Sequence, residues 1–176
     1  MNIISRIKLY SCNISNIPES IGCLLYLTYF NVDDNHLTFL PDSICSLKCL
    51  TELSAHTNQL TDIPESIGNL ASLSVLDVRN NHLTQLPDSI GNLISLTCLA
   101  VANNHLSRLP DSIRSLLSLK NLDVGYNQLT IISDCLCNLT ALASLDVSNN
   151  PITSTNVGRD EVVRRFIRFK LSIIIS

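Results

Sequence analysis

Long apolar runs are missing from this 176-residue chain, which therefore has no stretch approaching the roughly 20 residues a transmembrane helix requires. Met1 to Tyr10 has no basic start followed by an uninterrupted apolar segment, the mark of a secretory signal. The expected location is cytoplasmic, or outside the cell by a route that the sequence does not display. Paired cysteines are missing too. Cys12, Cys23, Cys45, Cys49, Cys98, Cys135 and Cys137 are odd in number and scattered, with no C-x-x-C zinc spacing. Reduced thiols are expected, and the sequons at Asn13 and Asn138 then go unused, because glycosylation needs a secretory route.

Signatures of catalysis are absent as well. The chain has no glycine-rich phosphate loop, no H-E-x-x-H metal motif and no G-x-S-x-G elbow. No catalytic residue, cofactor or metal is expected. With 12 basic and 15 acidic residues the formal net charge is −3, and no basic groove invites nucleic acid.

What is present is periodicity. Leu27, Leu50, Leu73, Leu96, Leu119 and Leu142 each stand 23 residues after the last. A weaker copy precedes them, with Ile4, Ile7, Leu9, Cys12 and Ile14 in the same slots. A fixed period of this length marks a solenoid of stacked units. At 45% hydrophobic residues, the chain has the makings of a core, but a single unit cannot bury its own apolar set.

Each slot has a physical reason. In Leu73-x-x-Leu76-x-Val78 the alternation is that of a short strand, with Leu76 and Val78 facing inward and Asp77 outward. Asn81 recurs as Asn35, Asn58, Asn104, Asn127 and Asn150, where an amide with both donors and acceptors satisfies turn backbone groups that would otherwise be buried unpaired. Cys12 replaces it in the first copy. Leu83, Leu86, Ile90 and Leu93 then step by three or four, which suits a short helical or 3₁₀ segment returning along the opposite face, with Pro87 helping to start it. Stacked strands about 4.8 Å apart would line a concave side, seven of them spanning roughly 30 Å.

The unit L-x-x-L-x-[LVA]-x-x-[NC]-x-[LI]-x-x-[LI]-P-x-S-[IL]-x-x-L resembles the leucine-rich repeat family over residues 3 to 155. Its ending, L-P-x-S-I-x-x-L, is similar to the subclass in Scribble-type and Ras-pathway scaffolds, plant Ras-group repeat proteins and some bacterial proteins. The resemblance implies an α/β solenoid, an arc or horseshoe that binds a protein partner on a concave parallel sheet. Short signal-less proteins of this subclass also resemble bacterial effectors that act in host cells, which implies translocation into a host cell without a conventional signal peptide as the alternative location. A regulatory or targeting subunit of a phosphatase, GTPase or ubiquitin-ligase complex, and a self-assembling array, are the other readings.

Outward strand slots are the expected contact surface. They include Tyr10, Tyr29, Asn31, Asp33, Glu52 and His56 in the first three copies, then Asp77, Arg79, Asp123, Tyr126 and Asp146. Tyr10, Tyr29 and Asp33 with His56 form a polar-aromatic half, and the later aspartates form an acidic column interrupted by Ala100. Aromatic and charged side chains on a rigid surface are common interface anchors.

Three other columns read as structure. Glu19, Asp42, Glu65, Asp88, Asp111 and Asp134 follow the proline slot, where carboxylates are expected to cap helical N–H groups. His36, His82 and His105 share an exposed turn slot without converging partners, so zinc is not expected. Ser20, Ser43, Ser66, Ser89 and Ser112 recur in one register. Repeat six departs from the frame, with Ser133 for proline and Leu136 between Cys135 and Cys137, and the array is expected to loosen or bend there.

The repeats are assigned to residues 1–155 and a capping helix with a tail to 156–176. From Gly158, the residues Val162, Val163, Phe166, Ile167 and Leu171 form one helical stripe, and residues 159–170 carry five basic and two acidic groups. A helix here would cover the last repeat. Ile173 to Ile175 has no assigned role. At the other end Ile3, Ile4, Ile7 and Ile14 come without a recognisable cap. A monomer is expected, with an end-to-end dimer through that strand edge as the alternative.

Overall fold

The computed structural model describes residues 3–155 and 172–174. Each repeat contributes a three-residue strand with one inward side chain between two outward ones. The repeat strands are β1 (Arg6–Lys8), β2 (Tyr29–Asn31), β3 (Glu52–Ser54), β4 (Val75–Asp77), β5 (Cys98–Ala100), β6 (Asn121–Asp123) and β8 (Ser144–Asp146), and β10 (Ser172–Ile174) joins them from outside the repeats. They pair in parallel in the order β1-β2-β3-β4-β5-β6-β8-β10. The pairing register is one whole repeat, so that Leu53, Leu76 and Leu99 stand directly opposite one another.

The return segments are 3₁₀ turns of five residues: η1 (Glu19–Cys23), η2 (Asp42–Ser46), η3 (Glu65–Asn69), η4 (Asp88–Asn92), η5 (Asp111–Ser115) and η6 (Asp134–Asn138). In each of the first five, proline takes the cap position, extended rather than helical, as at Pro87 with φ −66° and ψ 148°. No α-helix occurs among the described residues. Between sheet and turns runs one core cluster, in which Leu27, Leu50, Leu73, Leu96 and Leu119 are wholly buried.

The asparagine column forms a ladder. Asn81 Nδ2 faces the carbonyls of Val78 and Arg79 in its own turn and of Ala55 in the preceding repeat, at 3.0–3.1 Å. Its Oδ1 accepts the N–H of Leu60 at 2.9 Å. Asn35 opens the ladder by accepting the N–H groups of Cys12 and Ile14.

A second ladder runs at the strand entries, where the hydroxyls of Thr28, Thr51, Ser74 and Thr97 each donate to a backbone oxygen one repeat upstream. At the other end of each strand the residue before the ladder slot has a left-handed backbone. Ser11, Asp34, Thr57, Asn80, Asn103, Tyr126 and Asn149 all have φ between 51° and 54°.

The acidic column differs from its expected role. None of the first five 3₁₀ turns has a side-chain cap bond. The carboxylates reach into the next repeat instead, where Glu19 accepts the N–H of Ser43 and Glu65 that of Ser89, each at 3.2 Å. Proline already holds the cap position, so the nearest open N–H belongs to the neighbouring turn.

Repeat six does not break. Ser133 accepts the N–H of Cys135 at 3.3 Å and starts η6 in place of proline. Beside it, β7 (Ile131–Ile132) pairs in parallel with β9 (Ser154–Thr155) in a separate two-stranded sheet. The helix expected between Gly158 and Leu171 lies outside the described residues. Ser172–Ile174, which had no assigned role, is β10, and it extends the main sheet beyond β8.

Candidate partner-binding face

Because the central residues of β2 to β6 and β8 point into the core, the flanking residues form columns across the concave side one strand spacing apart. At the N-terminal end Arg6 and Lys8 are exposed. The Arg6 guanidinium lies 3.9 Å above the centre of the Tyr29 ring, and the Lys8 ammonium 5.7 Å from it, within reach of the ring's negative face. Tyr10, beyond β1, is 61% exposed.

Asp33 and His56 are brought together, though not as a free contact surface. Asp33 is buried. One of its oxygens accepts from the Ser54 hydroxyl at 2.6 Å and the His56 N–H at 2.9 Å. The other meets Asn31 Nδ2 and lies 3.2 Å from His56 Nε2. A carboxylate removed from water must be held by donors in this way. Glu52, on the next strand, is exposed.

In mid-sheet, Arg79 clasps Asp77 through Nε at 2.9 Å and Nη2 at 2.6 Å. That hydrogen bond pushes the guanidinium pKa up. Beside the pair, Cys98 is half-buried, and burial with the nearby charge of Asp77 pushes its thiol up as well.

Toward the C-terminal end, inside β10, Asp123 and Asp146 occupy paired positions on the adjacent strands β6 and β8. Each bends toward the turn that follows, accepting the N–H of Gly125 at 3.2 Å and of Ser148 at 2.9 Å respectively. Burial first, then the like charge of Asp146, push the Asp123 carboxyl up, opposed by the Gly125 hydrogen bond. Tyr126 stands next to them, 60% exposed. Its φ of 51° is uncommon for so bulky a residue.

The expected residues thus fall into two groups. Tyr10, Glu52, Arg79 and Tyr126 are exposed, and Tyr29, Asn31, Asp77, Asp123 and Asp146 are half-buried on the same face. Asp33 is consumed by the internal network. Sequence reasoning overlooked the strand-entry hydroxyls and the left-handed column, both of which were visible as 23-residue recurrences. Arg6 and Lys8, outward slots of the first copy by their spacing, were not singled out as the cationic pair that meets the Tyr29 ring.

Other clusters lie elsewhere. The His82 and His105 rings stack at 5.8 Å, and Gln59 and Gln128 approach His36 and His105. No group of three or more metal-binding side chains converges among the described residues. A groove of about 520 Å³ is lined by Glu65, Asp88, Arg108, Asp111 and Ile131, among others, and by no residue of the concave strands. No described helix is long and apolar enough to cross a membrane.

A family model described as a leucine-rich repeat region matches residues 52–167, and a second, for the single leucine-rich repeat, matches residues 26–47. The chain belongs to the leucine-rich repeat family. No curated protein matches it. Among solved structures, a leucine-rich repeat protein of Leptospira interrogans is 29% identical, with a TM-score of 0.83 over 93% of this chain and 40% of its own. An internalin of Listeria monocytogenes is 23% identical, with a TM-score of 0.80 over 97% of this chain and 47% of that one. A TDR receptor is 28% identical, with a TM-score of 0.75 over 90% and 28%. The chain therefore spans less than half the length of each. The repeat family as a whole supports a role in protein interaction.

Proposed function

We propose that this leucine-rich repeat chain is a non-enzymatic module that binds a protein partner on its concave sheet. The supporting observation is the contrast between the two sides of each strand. Inward positions form a filled core, while the outward positions carry aromatic and charged groups that the fold leaves accessible, chief among them Tyr10, Tyr29, Asp123, Tyr126 and Asp146. Rigid backbone beneath such side chains lowers the ordering cost of binding.

The test is affinity capture from cell lysate with the wild type and a Tyr29→Ala/Asp77→Lys variant, identifying proteins by mass spectrometry. A partner held by the wild type and lost by an equally stable variant is the expected result. A partner held equally by both places the site elsewhere. The finer reading, an effector acting in a host cell, draws its support from the bacterial origin of similar structures, and expression of the chain in host cells with recovery of the same partner would test it. Self-assembly is favoured by a separate observation: β1 stands at the end of the sheet, and Ile3 and Ile4 beside it are 61% and 52% exposed. Recovery of nothing but the chain itself would select that reading.

A further inference from the structure

We propose that the segment bound on this face is an extended peptide of opposite charge at its two ends, lying across the strands with a basic residue on Asp123 and Asp146 and an acidic residue on Arg6 and Lys8. The proposal rests on the concave-face reading and specifies its ligand.

The charges of the face are not spread evenly once internal pairing is subtracted. Asp33 faces His56 and three further donors, and Asp77 is neutralised by Arg79. Arg6 and Lys8 at one end, and Asp123 and Asp146 at the other, have no ion-pair partner among the described residues. Glu52, exposed on β3, marks the inner limit of the cationic end. Asp123 and Asp146 stand opposite each other on adjacent strands, about 4.8 Å apart by sheet geometry. That spacing lets one guanidinium or ammonium group touch both, relieving a repulsion already felt by Asp123.

Between Glu52 and the acidic end the only charges among the described residues of the face are Asp77 and Arg79, which are paired with each other. Val75, Cys98, Ala100 and Ala102 carry no charge, and a side chain at Gly125 would crowd Asp146 at 3.2 Å. These small residues put no bulky side chain over the carboxylates, and Tyr126, which follows Gly125, is exposed. From β1 to β6 and β8 the sheet takes five and six steps, about 24 to 29 Å. An extended chain at about 3.3 Å per residue covers that in roughly seven to nine residues. A uniformly acidic ligand, nucleic acid included, is repelled at one end and a uniformly basic one at the other.

The test is fluorescence anisotropy with a labelled peptide of two glutamates, six neutral residues and two arginines. Expected are saturable, salt-sensitive binding and a loss of roughly tenfold or more when either charged pair is replaced by glutamine or the spacer is cut to two residues. An Asp123→Lys/Asp146→Lys variant should exchange this preference for a peptide with glutamates at both ends. Asp123→Asn/Asp146→Asn, which keeps the turn hydrogen bonds available, should lose the arginine preference without unfolding. Equal binding of the short-spacer or doubly basic peptide, or no binding of any peptide, overturns the proposal. If the peptides fail while Tyr29→Ala/Asp77→Lys still abolishes capture, the concave site stands and only its ligand is wrong. If capture survives that variant, both fall.

Discussion

His56 Nε2 lies 3.2 Å from Asp33 Oδ2, joining one repeat to the next through a carboxylate that is 7% exposed. Because the same carboxylate also holds the His56 N–H and the Ser54 hydroxyl, its removal orphans groups that water reaches poorly. Asp33→Ala should lower stability by about 1 to 3 kcal/mol. Asp33→Asn keeps acceptors and should cost less. Urea denaturation of both variants checks the order, and equal losses would show that charge, not hydrogen bonding, dominates the cluster.

Asn81 ties two repeats together, since its amide meets three carbonyls and one N–H. Asn81→Ala leaves the Leu60 N–H without its partner in the core, while the Ala55 carbonyl keeps only the bond from Asn58 Nδ2 at 3.2 Å. The expected loss is about 1 to 3 kcal/mol for each buried group left unmatched, and Leu76→Ala should cost about 2 to 5 kcal/mol. Because neighbouring repeats stabilise each other, hydrogen exchange should rise first in the repeats flanking the substitution.

The 23-residue recurrence made the strand, the asparagine turn and the core leucines legible, because each demands one residue type in one slot. The face was legible only as a set of outward positions. Which of its charges remain free depends on pairs such as Asp77 with Arg79 and Asp33 with His56, and side-chain geometry decides those. The role of the acidic column was misjudged because proline at the cap position, as in Pro18 and Pro64, sends Glu19 and Glu65 to the next repeat. Ser172–Ile174 escaped notice because β10 lacks the repeat's leucine frame.

Gly91 packs against the serine column. A Cβ built on it would stand 2.4 Å from the Ser112 carbonyl oxygen and 2.7 Å from the Ser112 Cβ. Those atoms belong to the neighbouring turn, which has little freedom to retreat. Gly91→Ala should therefore destabilise by about 1 to 3 kcal/mol, the usual range for overpacking. Thermal unfolding checks it, and an unchanged midpoint would mean that adjacent turns slide apart without cost.

Asp123 should trade stability for binding. Its folded-state pKa is raised, chiefly by burial and then by Asp146, so the folded protein holds this proton more tightly than the unfolded chain does. The stabilising contribution is then fully present below the ordinary carboxylate range and is lost as pH rises through the raised value. At neutral pH the ionised group works against the fold. Asp123→Asn, which can still accept the Gly125 N–H, should melt above the wild type at pH 7, and the gap should close near about pH 3, where the wild-type carboxyl is protonated. A cation seated on the pair would act in the opposite direction, favouring the ionised form and releasing a proton where the free group is still protonated. Affinity for the arginine-ended peptide should consequently rise through the carboxylate range and level off above it, while Asp123→Asn flattens much of that rise. Melting curves at the two pH values, with anisotropy titrations across the range, measure both halves of the trade. A variant that gains stability without losing affinity would separate the burial of Asp123 from any part in recognition.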